Sequence, residues 1–251
     1  MYNPYSLKGK NILVTGASSG IGKAIAIECS KLGATVILTA RNEVRLKETL
    51  DQLEGNGHQT IVADITNEDD RKRLADSIPQ IDGFVCNAGI TKRKPVSFVK
   101  EEELREIFET NTFAAFLLTK AIMKAKKMNK EGSMVFMASM AAKMVTPGNS
   151  MYAASKAAIE SFSRSCALEY AAKGIRANAI LPGMIETPLI NSGMLSEVEI
   201  ERDKQHYMLK RYGKPEEIAW AAIFLLSDAS KWITSTSLLI NGGGRIVKEK
   251  D

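Results

Sequence analysis

Tyr152 and Lys156 stand four residues apart in the stretch SMYAASKAAIESF, residues 150–162. In a helix, positions i and i+4 lie one above the other, close enough for a phenol and an ammonium to interact. A phenol titrates near pH 10 in water and donates its proton poorly at neutral pH; a fixed cation beside it favours the phenolate and lowers that pKa. Each unit of lowering is worth about 1.4 kcal/mol of differential interaction. The pair can act as an acid/base device or stand as two ordinary helix-surface residues, and the spacing alone does not choose.

A second chemical stretch is TGASSGIG, residues 15–22, where an apolar run passes into a helical pattern. Glycines at a strand-to-helix turn let the backbone approach a pyrophosphate seated on the helix N-terminus, where free N–H groups and the macrodipole favour negative charge. A plain tight turn is the alternative. The spacing is G-x-x-x-G-x-G rather than the dinucleotide fingerprint G-x-G-x-x-G.

The elements that must position these residues are visible as apolar runs. NILVTG (11–16), ATVILTA (34–40), TIVADI (60–65), DGFVCNAG (82–89), SMVFMAS (133–139), IRANAILPG (175–183) and SLLINGG (237–243) alternate with amphipathic helical stretches. Strands alternating with helices imply βαβ units, and strands apolar throughout imply a parallel sheet covered on both faces. With right-handed crossovers this predicts an α/β, doubly wound (Rossmann) seven-stranded sheet, one domain spanning 1–251. Ligands of such sheets bind beyond the carboxyl ends of the strands, near the point where strand order reverses. The residues there are chemically promising: 16–22, Arg41, Asp64, 87–89, Ser139 and 182–187.

Composition excludes other classes. With 251 residues and 45% apolar content the chain can bury a large single core. A net charge of +5 is basic enough to welcome phosphates but too dispersed to point to nucleic acid. The cluster Lys124, Lys126, Lys127 and Lys130 reads as a solvated helix end complementing the C-terminal dipole. Cys29, Cys86 and Cys166 lack paired spacing, which favours a reducing compartment and buried thiols. His58 and His206 have no ligand-like spacing, so no metal site is expected. The start MYNPYSLKGK has no apolar core for a signal peptide, and no run approaches membrane-spanning length. A soluble cytoplasmic protein is expected.

Taken in order, Thr15-Gly16-(x)3-Gly20-Ile21-Gly22, Asn87-Ala88-Gly89, Asn111, Ser139 and Tyr152-(x)3-Lys156 closely resemble the short-chain dehydrogenase/reductase family over essentially the whole chain. The resemblance implies that Gly16, Ser18, Ser19, Gly20, Ile21 and Gly22 hold dinucleotide phosphates. Asp64, with Ile65 beside it, contacts the adenine; Asn87, Ala88 and Gly89 back the adenine ribose. Pro182, Gly183, Ile185 and Thr187 hold the nicotinamide end. Tyr152 is the proton donor, and Lys156 raises its acidity and binds the nicotinamide ribose. Ser139 polarises the substrate oxygen, and Asn111 anchors a water leading protons from Lys156 to solvent. Asn111 within a helix beginning near Glu101 asks for a reason, because asparagine is an indifferent helix former.

NAD-using members carry an acidic residue at the end of the second strand. Here Ala40 holds that place and Arg41 follows it. A guanidinium binds a 2′-phosphate through two parallel charge-assisted bonds, so NADP(H) is expected. Many NADP-dependent relatives have a basic residue within the glycine turn; this chain has Ser19. Ser235 also replaces a usual glycine, and Asn241 stands where many members have Asp.

ITKRKPVSF, LPGMIETPLI, ASKAAIESFSRSCALEYAAKGIRANAI and GKPEEIAWAAIFLLSDASKWIT are most similar to the 3-oxoacyl acyl-carrier-protein reductases. That implies a 3-oxoacyl thioester substrate, with steroid, sugar or polyol reductases as alternatives and a non-catalytic NADP-binding sensor as the alternative of another class. An acidic carrier protein would want a basic rim, for which Lys126, Lys127, Lys173 and Arg176 are candidates. Residues 187–214 correspond to the family's substrate lid. Met140, Met144, Met151, Met184 and Met194 would line an adaptable apolar pocket or fill the core. Small residues Ala153, Ala154, Ala157 and Ala158 permit close helix pairing between subunits, as in a homotetramer.

Overall fold

Strands form where apolar runs can be buried on both faces, and helices cover them. The computed structural model describes residues 2–188 and 196–244. The chain alternates β1 (Asn11–Thr15), α1 (Gly20–Lys31), β2 (Thr35–Ala40), α2 (Glu43–Leu50), β3 (Gln59–Val62), α3 (Glu68–Ser77) and β4 (Ile81–Cys86). It continues through α4 (Glu101–Phe108), α5 (Ala114–Lys124), β5 (Met128–Met137), α6 (Ser150–Glu169), β6 (Arg176–Pro182), α7 (Glu197–Lys204), α8 (Pro215–Leu226) and β7 (Ser237–Ile240). The strands make one seven-stranded sheet in the order β3-β2-β1-β4-β5-β6-β7, and every pairing is parallel.

Successive side chains of β1 explain the two layers. Ile12 and Val14 enter a core shared with Ile25 of α1, Leu46 of α2 and Ile223 of α8. Leu13 enters the opposite core with Leu74 of α3, Leu118 of α5 and Ile159 of α6. A strand with helices on both sides has no face left for polar residues, which is why these runs read as continuously apolar. The chain builds outward from β1 to β3, then crosses to β4 on the other side of β1. That reversal opens a crevice at the carboxyl ends of β1 and β4.

Four sequence expectations change. β5 starts at Met128, earlier than the apolar run suggested, because Met128 pairs with Ile81 before the register shifts ahead of Gly83. Helix α4 does not run straight into α5: a π-helical turn, Glu109–Phe113, carries Asn111 between them. The lysine cluster is not merely solvated, since Lys127 Nζ donates to the carbonyls of Asp76 and Ile78 at the end of α3. The proposed basic rim fails as well. Lys126 and Lys127 precede β5, and Lys173 and Arg176 lie at the start of β6, so all four sit at the amino edge of the sheet, opposite the crevice.

Ser235 adopts φ +59°, the left-handed conformation that favours glycine, which accounts for the residue usual there in the resembled family. All three cysteines are free and buried, and burial pushes each thiol up to about 12. Among the described residues no helix is long and apolar enough to cross a membrane.

Candidate active site

A cavity of about 1100 Å³ runs along the carboxyl edge of the sheet. Its floor is the glycine turn. Gly16 follows β1 at φ +65°, and a Cβ there would lie 2.9 Å from Asn87 Nδ2. Gly22, inside the first turn of α1, faces the Gly16 carbonyl so closely that no side chain fits, and a Cβ would also meet Asn87 Nδ2 at 2.5 Å. Gly20 adopts φ +54° and would place a Cβ 3.3 Å from the Thr187 methyl, so the β1 and β6 loops close on one another. The N-cap of α1, Ser19, makes no side-chain capping bond, and the first helical turn has no acidic residue. Free N–H groups and an uncommitted hydroxyl there fit a pyrophosphate.

Asn87 holds the β1–β4 junction. Its N–H and that of Ala88 donate to Thr15 Oγ1 at 2.9 and 3.1 Å, while its Nδ2 donates to the Thr15 carbonyl at 3.1 Å. Beyond β2, Arg41 lines the cavity, and Arg45 of α2 lines it too. Neither guanidinium meets an acceptor among the described residues. Asp64 and Ile65 follow β3 on the same wall. Asp64 Oδ1 accepts from the Thr66 N–H and hydroxyl at 3.0 and 2.7 Å, whereas the N-cap of α3 is Asn67, so Asp64 does not cap that helix.

Three groups converge at the other end. Ser139 lies just past β5, Tyr152 in the first turn of α6, and Lys156 one turn on, as the helical period requires. The Ser139 hydroxyl hydrogen-bonds the Tyr152 phenol and also accepts from the Ala141 N–H at 3.1 Å. Lys156 Nζ donates to the Met137 carbonyl at 2.8 Å and lies 5.8 Å from the Tyr152 ring centroid. Burial pushes the phenol up and the Ser139 bond draws it back only in part. Burial thus opposes the acidification that the sequence reading assigns to Lys156. Desolvation is the larger effect, and the hydrogen bond from Ser139 opposes it.

Burial also draws the Lys156 ammonium from its ordinary 10.5 down to about 8. Below pH 8 both folded and unfolded chains carry this proton, and the folded chain bears the penalty of a buried charge. Between about 8 and 10.5 the folded chain has released the proton while the unfolded chain still binds it, so stability rises with pH through that window. Wild type should gain stability relative to Lys156→Met between pH 7 and 10, by at most roughly 3 kcal/mol. Urea unfolding of both proteins across that range checks this; a difference independent of pH overturns it.

Asn111 is buried behind the wall. Its Oδ1 accepts from the Ile90 N–H at 2.8 Å, and its Nδ2 donates to the Ile90 carbonyl and Ser155 Oγ, each at 3.0 Å. The Ser155 hydroxyl donates in turn to the Tyr152 carbonyl at 2.8 Å. The asparagine side chain thus ties the segment after β4 to the Tyr152 helix, which supplies the reason its position in a helix demanded. One turn beyond Lys156, buried Glu160 accepts from Lys143 at 2.8 Å, Ser237 at 2.8 Å and Arg164 at 3.1 Å. It anchors the helix bearing Tyr152 to the loop after Ser139.

Of the candidate catalytic and cofactor-binding residues, all line the cavity except Gly22 and Asn111. Met140, Met144 and Met184 line it; Met151 is core, and Met194 lies outside the described residues. Sequence reading missed Arg45, Arg93, Thr146, Asn149, Arg202 and His206 on the wall. Only Arg45 had a signal, as a second basic residue one helical turn after Arg41.

A family model described as enoyl-(acyl carrier protein) reductase matches residues 16–244. The 3-oxoacyl-[acyl-carrier-protein] reductase of Rickettsia felis is 35% identical over 94% of this chain and 97% of its own. A solved structure described as a short chain dehydrogenase/reductase family protein is 33% identical over 96% of this chain and 100% of its own, with a TM-score of 0.87. A putative 2-deoxy-D-gluconate 3-dehydrogenase from Agrobacterium tumefaciens, solved with bound NADP, is 33% identical over 96% and 98%, with a TM-score of 0.87. Agreement in sequence and fold along nearly the full length, around a glycine turn and a Ser-Tyr-Lys wall in one cavity, places the chain in the short-chain dehydrogenase/reductase family of nicotinamide-dependent oxidoreductases.

Proposed function

We propose that the chain transfers hydride between NADP(H) and a carbonyl or secondary alcohol, with Tyr152 as general acid and base. The observation that carries this is the convergence of the Tyr152 phenol, Ser139 hydroxyl and Lys156 ammonium on one wall. The bound nicotinamide supplies or accepts the hydride. As the carbonyl carbon is reduced, its oxygen takes the electron pair and receives the Tyr152 proton, while Ser139 donates a hydrogen bond to the same oxygen. Lys156, held by the Met137 carbonyl, faces the ring where phenolate charge develops. Asn111 and Ser155 position the backbone of that helix, and the presence of Asn111, Ser139, Tyr152 and Lys156 together argues against a non-catalytic sensor.

The preference for NADP(H) rests on Arg41 and Arg45 beside Ala40, and the NADP in the Agrobacterium relative supports it. A carboxylate at the end of β2 would repel a 2′-phosphate and accept ribose hydroxyls instead. Ala40→Asp should therefore lower the ratio of kcat/KM for NADPH over NADH by about tenfold or more. A ratio that stays within twofold refutes the assignment.

For the substrate, 3-oxoacyl thioesters are supported by the Rickettsia relative and by the methionines on the wall. A hydroxylated ketone is the second reading, favoured by Arg93 and Arg202 on the cavity wall and by the Agrobacterium relative. Residues 187–214, including α7, act as a lid; residues 189–195 lie outside the described part. Exposed Phe113, Phe116 and Ala154 on neighbouring helices support subunit pairing in a homotetramer. NADPH oxidation measured against a panel of carbonyl compounds tests the whole reading.

A further inference from the structure

Three consecutive cations follow β4, and they behave differently. Lys92 pairs with Glu106, and Lys94 pairs with Glu103 at 2.8 Å. Arg93, between them, lines the cavity and meets no acceptor among the described residues. Its loop is fixed by the Lys94 N–H, which donates to the Gly148 carbonyl at 2.8 Å. On α7, Arg202 likewise lines the cavity without an ion-pair partner among the described residues, whereas nearby Lys204 approaches Glu201 at 3.6 Å.

Glu199 feels the Arg202 charge across the wall, but its oxygens make their hydrogen bonds elsewhere. Glu199 accepts from the Ser196 N–H and hydroxyl, each at 2.8 Å, and Asp203 accepts the Tyr212 hydroxyl at 2.9 Å. Arg41 and Arg45 lie beyond β2, two strands from β4, so they serve the opposite end of the cavity.

Two further polar groups wait on the same wall. Among the described residues, Thr146 Oγ1 and His206 Nδ1 are the buried side-chain polar atoms without a hydrogen-bond partner. Both residues line this cavity. Asp203 Oδ1 lies 4.0 Å from the imidazole Nδ1, too far to satisfy it. Buried polar atoms are nearly always paired, and a hydrocarbon chain laid here would leave these two unanswered, while the exposed Arg93 and Arg202 add positive charge to the same cavity.

Resting on the oxidoreductase reading above, we propose that Arg93 and Arg202 bind an anionic group of the substrate while Thr146 and His206 bind its hydroxyls. The substrate class is a hydroxylated ketone, or the matching alcohol, bearing a carboxylate or phosphate. Guanidiniums suit either anion through paired charge-assisted bonds.

The test measures kcat and KM with NADPH for 5-ketogluconate, fructose 6-phosphate, neutral fructose and the N-acetylcysteamine thioester of acetoacetate, together with the Kd for NADPH. At least one anionic ketone should exceed fructose in kcat/KM by tenfold or more; which one does so tells carboxylate from phosphate. Arg93→Met and Arg202→Met should each raise KM for that ketone about tenfold while NADPH binds within twofold of wild type. Thr146→Val should raise it less. Brisk reduction of the thioester with neither anionic ketone preferred over fructose overturns this proposal and leaves the oxidoreductase reading standing. Failure to bind NADPH sinks both.

Discussion

Tyr152→Phe should reduce carbonyl turnover with NADPH by about 1000-fold, the middle of the range for removing a positioned general acid. The substitution deletes one oxygen and keeps the ring, which is partly exposed on the cavity wall. Ser139 retains its bond from the Ala141 N–H, and Lys156 retains the Met137 carbonyl. The wall therefore keeps its shape, and the Kd for NADPH should stay within about twofold. The oxygen of the reduced carbonyl then has to take its proton from solvent. Stopped-flow turnover and fluorescence titration of NADPH separate the two quantities. A variant with a tenth or more of wild-type kcat shows that Tyr152 is not the acid.

Arg176→Met should lower stability by about 3 kcal/mol, because hydrogen bonds to a charged donor contribute roughly 1.5–3 kcal/mol each. The guanidinium of Arg176 donates to the carbonyls of Leu225 at 2.8 Å, Ile233 at 3.1 Å and Ser227 at 3.4 Å, tying β6 to the end of α8. Burial draws its pKa down, so the charge is held at a desolvation cost. The loss stops near that figure because each carbonyl keeps a second donor: Ser133 for Leu225, Asn178 for Ile233 and Ser230 for Ser227. Methionine preserves the apolar stem. For a chain of this size the shift corresponds to a Tm about 6–12 °C lower, measurable by calorimetry. The cavity lies at the other edge of the sheet, so kcat/KM at low temperature should stay within about twofold. A Tm unchanged within a degree or two shows that the three bonds contribute nothing net.

The strands were legible because burial on both faces leaves an uninterrupted apolar signature, as in β1 and β6. The start of β5 was not, since Asn129, Lys130 and Glu131 are polar and only the pairing of Met128 with Ile81 draws them into the sheet. The glycine turn and the Tyr152–Lys156 pair were legible for a local reason: strand and helix periods alone set where those groups point. Arg93, Thr146, Arg202 and His206 carry no such signature, because nothing near them in sequence distinguishes a cation aimed into a cavity from one in solvent.

By itself, then, the sequence determined the order of elements, the parallel doubly wound sheet, the glycine cradle and the one-turn spacing of the acid and its lysine. All of these follow from short-range periodicity and backbone sterics. Only the tertiary structure decided which edge of the sheet each charge occupies, placing Lys126, Lys127, Lys173 and Arg176 away from the crevice. It also decided the sign of the Tyr152 shift, which burial raises despite the lysine one turn away. Desolvation and hydrogen-bond partners are set by segments far apart in the chain, and those meet only once the crossovers have brought them together.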